Sequence, residues 1–259
     1  MTQPTNLTQL KKLLNVNSLL SGEGTNPKVA KNEKLGVLGG VLHLAPADLS
    51  GFEVCPMRSE GCTAACLHTA GNPAYMKNKN ESRIKRTKAF FAHREAFMNL
   101  LVLEIAKMLK SANDQNLDLA IRLNGTSDIR WESVRFKLWD WVSGRADRHV
   151  AANHQPVTIL ELFPDIQFYD YTKIHNRKNV PSNYHLTFSL NETNREFATK
   201  QDRNIAVVFK GKLPDEYLGR PVIDGDEHDY RPNDPRGVVV GLKVKGKGRE
   251  DETGFVVQL

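Results

Sequence analysis

Residues 117–128 read Leu-Asp-Leu-Ala-Ile-Arg-Leu-Asn-Gly-Thr-Ser-Asp. The stretch opens as a compact apolar run with Arg122 inside it and closes on a small polar cluster. A run of this length bounded by turn residues reads as a buried strand. The stretch from Trp131 through Trp141 then reads as a helix, which completes a strand–loop–helix unit with the polar cluster at the strand's carboxyl end. Ser127 or Asp128 can cap that helix, but capping does not account for both Arg122 and Asn124. Loops at strand ends carry sites and buried charges need partners, so Asn124, Gly125, Ser127 and Asp128 are expected to contact a ligand.

The same pattern recurs along the chain. Residues 35–43 read as a strand or hairpin loosened by glycine, and Ile166 to Tyr171 as a strand that ends in Thr172 and Lys173. Tyr184 to Ser189 is a strand stopping at Ser189, Asn191 and Glu192, followed by a polar helix from about Thr193 to Lys200. Ile205 to Phe209, Val222-Ile223 and Gly237 to Val244 complete the set, the last ending in Lys243 and Lys245. Val157 to Phe163 reads as a short helix. Phe90, Phe97, Leu101, Ile105 and Leu109 recur at helical steps, so a long amphipathic helix precedes the 117–123 strand.

Strands alternating with polar strand-end clusters predict an α/β fold with mainly parallel strands. A partial (βα)6-type barrel is expected. A doubly wound open sheet would show the same alternation, and strand order is not legible. Residues 1–34, rich in Asn, Thr, Lys and Gly, read as a polar N-terminal extension, and 35–259 as one barrel-like domain.

All the cysteines lie within twelve residues: Cys55, Cys62 and Cys66, with six residues between the first two and three between the last two. Thiolates are soft donors suited to iron–sulfur clusters, zinc and copper(I), and an odd number cannot all pair as disulfides. Three thiolates on a four-iron cluster would leave one iron open to a substrate or cofactor. A structural zinc would take His68 or His43 as its fourth donor. One disulfide with a buried thiol, or three buried thiols, is the plainer possibility.

The chain has 36 Lys and Arg against 30 Asp and Glu, a net charge of +6. That balance tilts toward nucleic acid or phosphorylated ligands, although an ordinary solvated surface carries as much. The basic segments are Lys77 to Lys88 and Lys243 to Arg249. No apolar stretch has the length of a membrane span, and Met1 to Leu10 lacks the features of a signal peptide, so a cytoplasmic protein without membrane partners is expected. Phosphate-binding glycine loops, the Gly-x-Ser-x-Gly elbow and His-Glu-x-x-His do not occur. Asp224 to Asp229 offers carboxylates for a hard cation or a turn of exposed charge. His149 and His154 read as surface histidines.

Cys55-Pro56 with Cys62 and Cys66, the Lys/Arg-rich helix, Arg122 to Ile129, and Phe168 to Lys173 together resemble the phage family called gene product 88. The cysteine loop and strand-end clusters are in turn similar to radical S-adenosylmethionine enzymes, although the cysteine gaps there are three and two. This resemblance implies a four-iron cluster [4Fe-4S] on Cys55, Cys62 and Cys66. It also implies S-adenosylmethionine near Asn124, Gly125, Ser127, Asp128, Ser189 and Asn191, and Tyr169, Asp170 and Lys243 at the barrel mouth. A phage origin and a basic surface point to a nucleotide or nucleic-acid substrate in an infected or lysogenic bacterial host. Two other functions fit the residues: a zinc-stapled, non-enzymatic nucleic-acid-binding protein, and a metal-dependent nuclease using Asp224, Asp226 and Asp229.

Overall fold

The computed structural model describes residues 3–22, 31–66, 73–148 and 155–259, with the side chains of 73–76 left aside. His68, His149 and His154 fall outside these residues.

The expected strands form. β1 (Leu20–Ser21), β2 (Val37–Leu42), β3 (Asp118–Arg122), β4 (Arg135–Phe136), β5 (Val157–Thr158) and β6 (Gln167–Thr172) cover the first two thirds of the chain. β7 (Tyr184–Ser189), β8 (Ile205–Phe209), β9 (Glu216–Tyr217), β10 (Arg220–Asp224), β11 (Val239–Lys243) and β12 (Val256–Val257) follow. Ten of them make one sheet, ordered β1-β2-β3-β6-β7-β8-β11-β10-β9, with β12 added to β8. From β2 to β10 the neighbours are parallel, and β1 and β9 are antiparallel additions at the edges. The sheet is open and largely parallel, without closure into a barrel.

The helices are α1 (Leu7–Leu14), α2 (Glu60–Ala64), α3 (Pro73–Ala92), α4 (Arg94–Asp114), α5 (Asp140–Ala146), α6 (Ile159–Leu162) and α7 (Arg195–Ala198). The long amphipathic helix is therefore two, broken at His93. Phe90, Phe97, Leu101 and Ile105 are buried as their spacing requires, in the core shared with Leu38, Leu119, Ile121 and Phe168 on one face of the sheet. A second core under that face joins Phe188, Ile205, Val207, Phe209 and Val239.

The winding decides what covers the other face. β2, β3, β6, β7, β8 and β11 lie side by side in chain order, so right-handed crossovers put the connections between them on one side. β10 lies beyond β11, so the step from β10 back to β11 runs the opposite way. Its connection, residues 225–238, crosses the face that the helices leave open. That face is polar in the middle: its register aligns Arg122, Tyr169, Tyr171, His185 and Thr187.

Two sequence expectations need correction. Residues 3–22 are not an extension outside the core: Leu10, Leu14 and Leu19 are buried in it, and β1 pairs with β2. Its short apolar spacing supplies one more covering helix, which the polar residues between had masked. Nor is 131–141 a helix. It is a 3-10 turn at Trp131–Ser133 followed by β4, which pairs with β5; the indole of Trp131 is drawn inward to Asn124 and ends the regular backbone.

A candidate site at the carboxyl edge of the sheet

The cysteine loop leaves the carboxyl end of β2 and is tied to the loops after β3 and β7. The Asp128 N–H donates to the Val54 carbonyl at 2.8 Å, Thr126 Oγ1 donates to the Leu44 carbonyl at 2.6 Å, and the Cys55 thiol rests 3.9 Å from the Thr126 carbonyl. From the β7 side, Glu192 accepts from the Ser59 hydroxyl and the Gly61 N–H, both at 2.7 Å. Ser59 caps α2 by accepting from the Cys62 N–H, and Asn191 Nδ2 donates to the Met57 carbonyl at 3.3 Å. A side chain on Gly61 would strike Thr253 and Phe255, so the C-terminal segment roofs this helix closely.

The three cysteines are free of disulfides and half-buried. Burial pushes the Cys55 thiol up to about 12, and the nearness of Cys66, Asp128 and Cys62 adds to the rise. Three thiolates at this range repel one another, and a bound metal is what removes that cost by deprotonating its ligands. Among the described residues no group of three or more His, Cys, Asp or Glu is drawn together as a metal-ligand set. Arg83 of α3 is buried, which works against its charge, and Cys66 is the described group whose negative charge offsets that burial. An open cleft of about 630 Å³ lies against Glu53, Pro56, Arg58, Ser59 and Thr63, with none of the cysteines in its lining.

The loop of residues 124–128 is held from within. Asn124 Oδ1 accepts from the Ser127 hydroxyl (2.9 Å), the Ile129 N–H (2.9 Å) and the Trp131 indole (3.0 Å), while its Nδ2 donates to the Ile129 carbonyl. Asp128 accepts from the Thr172 hydroxyl and the Lys173 N–H, both at 2.7 Å. These polar atoms shape the loop and pin it to β6, so Asn124, Ser127 and Asp128 act as positioning residues in this arrangement. Gly125 is required by crowding: a Cβ there would stand 2.5 Å from His43 Nδ1. His43 itself is held neutral, its pKa lowered to about 3 by burial and by Arg83, Arg122 and Arg86.

The remaining predicted residues divide between the two faces. Tyr169 lies on the polar face and donates to Asp229 Oδ2 at 3.0 Å. Arg122 binds both oxygens of the same carboxylate, at 3.0 and 3.2 Å. Ser189 accepts from Lys173 Nζ at 2.9 Å at the edge of that face. Asp170 points the other way, into the helix-covered core, where it accepts from the Asn124 N–H (2.7 Å) and the Tyr184 hydroxyl (2.6 Å). Lys243 is exposed and pairs with Asp224 at 3.1 Å, and Lys245 pairs with Asp226 at 2.8 Å. The Asp224–Asp229 run is thus split: Asp224 and Asp226 meet lysines at the surface, whereas Asp229 serves Arg122 and Tyr169 beneath. The basic residues Lys77, Lys79, Lys85 and Lys88 of α3, with Lys247 and Arg249, are exposed.

A family profile described as Gene product 88 matches residues 12–259. The chain belongs to the gene product 88 family. No curated protein and no solved structure matches it. For this member of the family, sequence reading missed Tyr171, His185 and Arg231 as parts of the polar face, because the 225–238 connection that joins them to Asp229 is a tertiary feature. It also missed the ion pair between Arg177 and Glu132, which backs Asp128. Among the described residues no helix is long and apolar enough to cross a membrane.

Proposed function

We propose that this gene product 88 protein is a radical S-adenosylmethionine-like iron–sulfur enzyme acting on a nucleotide or nucleic acid. The observation that carries the reading is the gathering of Cys55, Cys62 and Cys66 on one loop at the carboxyl end of the first long parallel strand, beside a polar sheet face. The singly wound run from β2 to β11 is then an opened partial (βα)6 barrel, whose chemistry belongs at the strands' carboxyl ends.

The donor set fits the group. Three soft thiols lie on one loop within electrostatic range of one another, and Arg83 is buried where an anionic thiolate-bound centre or a cofactor carboxylate offsets its charge. Cys55, Cys62 and Cys66 would hold the cluster. When bound, S-adenosylmethionine at such a centre supplies, on reductive cleavage, a 5′-deoxyadenosyl radical. The chain's own residues do the positioning: Asn124, Ser127 and Asp128 keep the neighbouring loop in shape, Glu192 and Asn191 fix the cysteine loop, and Arg122 with Tyr169 orders the face on which a substrate lies. Lys247, Arg249 and the lysines of α3 give a phosphate-bearing substrate its long-range attraction.

The test is metal analysis with visible spectra on protein purified and reconstituted without oxygen. About four irons and matching sulfide, lost on Cys55→Ala, Cys62→Ala or Cys66→Ala, together with S-adenosylmethionine binding, are expected. A colourless protein with about one zinc would turn the loop into a structural staple, and a protein without metal would overturn the reading outright.

A further inference from the structure

The polar face of the sheet holds more hydrogen-bonding capacity than its own contacts use. Tyr171 and Thr187 lie opposite each other on β6 and β7, as do Tyr169 and His185. The Arg122 guanidinium sits 4.8 Å from the centre of the Tyr171 ring, and Arg231 reaches the same region from the 225–238 connection, where it lowers the pKa of His185 after burial does. Arg122 Nε, Tyr171 Oη, His185 Nε2, Thr187 Oγ1 and Arg231 Nε are all buried without a hydrogen-bond partner. Thr187 and Arg231 are at most 1% exposed. Each such atom left dry costs about 1–3 kcal/mol. Five on one patch are not a stable dry arrangement, so the polar atoms of a guest belong there.

Charge narrows the guest. Arg122 is matched by Asp229 at 3.0 Å and Arg231 by Asp234 at 3.2 Å. An ionised guest would meet two carboxylates whose guanidinium partners are already committed. The unused atoms are mostly donors: two guanidinium N–H groups and two hydroxyls, with His185 Nε2 able to take either role by tautomer. They call for carbonyl and hydroxyl oxygens.

We propose that the patch formed by Arg122, Tyr171, His185, Thr187 and Arg231 binds an uncharged, oxygen-rich small molecule, the shared chemistry of nucleosides and simple sugars. The inference goes beyond the cluster chemistry and does not depend on it. Calorimetric titration of the full chain, and of a variant with Cys55, Cys62 and Cys66 all changed to alanine, uses uridine, cytidine, guanosine, ribose and glucose as probes. Uridine monophosphate is the charged control. At least one neutral probe is expected to bind both proteins, and the nucleoside and sugar arms tell the two sources apart. The monophosphate should bind more weakly than uridine. Thr187→Val and Tyr171→Phe should each lower affinity about tenfold, the loss of one good hydrogen bond, with the unfolding midpoint unchanged. If no neutral probe binds, the patch holds only water and the inference fails. It fails equally if the monophosphate is preferred, if the two variants bind as the parent does, or if binding is confined to the chain with intact cysteines.

Discussion

Replacing Asp170 by asparagine should change how stability depends on pH, because the carboxyl is locked in the core between the Asn124 N–H and the Tyr184 hydroxyl. Burial lifts its pKa from 3.8 to about 7, against the pull of Tyr184, Arg122 and the Asn124 N–H. A raised value means that the folded protein holds a proton the unfolded chain has lost. The stabilisation is complete below pH 3.8 and disappears as pH rises through about 7. Between pH 6 and pH 8 the loss is about 1.4 kcal/mol. At a urea slope of about 3 kcal/mol per molar, that is roughly 0.5 M in the midpoint. His43 and His185, held neutral by burial, act with the opposite sign: their contribution is lost as pH falls. They are common to both proteins, so the quantity to plot is the wild-type midpoint minus that of Asp170→Asn. The difference should fall across neutral pH by the stated amount. A flat difference would mean that Asp170 ionises at its ordinary value, and the reasoning would be wrong.

Two further outcomes test the site's construction. Arg122→Met strands the buried Asp229 carboxylate and should cost about 3–5 kcal/mol, of which the added change Asp229→Asn should return a part; strictly additive losses in the double-mutant cycle would deny the pairing. Glu192→Gln weakens two charge-assisted hydrogen bonds to Ser59 and Gly61 and should cost about 1.5–3 kcal/mol. It should also speed alkylation of Cys62 by iodoacetamide, followed by mass spectrometry, and an unchanged rate would show that this clamp does not hold the loop.

The strands from 35 to 244 were legible because each apolar run is short and ends at a polar or glycine-containing cluster. Strand register and burial follow that pattern at β3, β6, β7 and β8 nearly residue for residue. The 131–141 stretch was not, since a local helical spacing lost to the burial of one indole against Asn124. The N-terminal segment was misread for a related reason. Its few leucines are sparse in sequence, and only the exposed flank of α4 and β2 makes them core.

The site divides along the same line. Local chemistry was enough to single out Cys55, Cys62 and Cys66 and the Asn124–Asp128 loop, because residues that serve one loop lie close together in the chain. It was not enough to tell positioning from contact: Asn124 and Asp128 look like ligands until the partners that saturate them, Trp131 and Thr172, are brought in from other elements. Asp170 and Tyr169 are neighbours in sequence, and strand alternation sends one into the core and the other onto the polar face. The 225–238 connection crosses that face because β10 lies beyond β11, and strand order is a property of the whole sheet. Composition and period thus determined the α/β class and the thiol loop, whereas the direction of winding decided which polar residues meet.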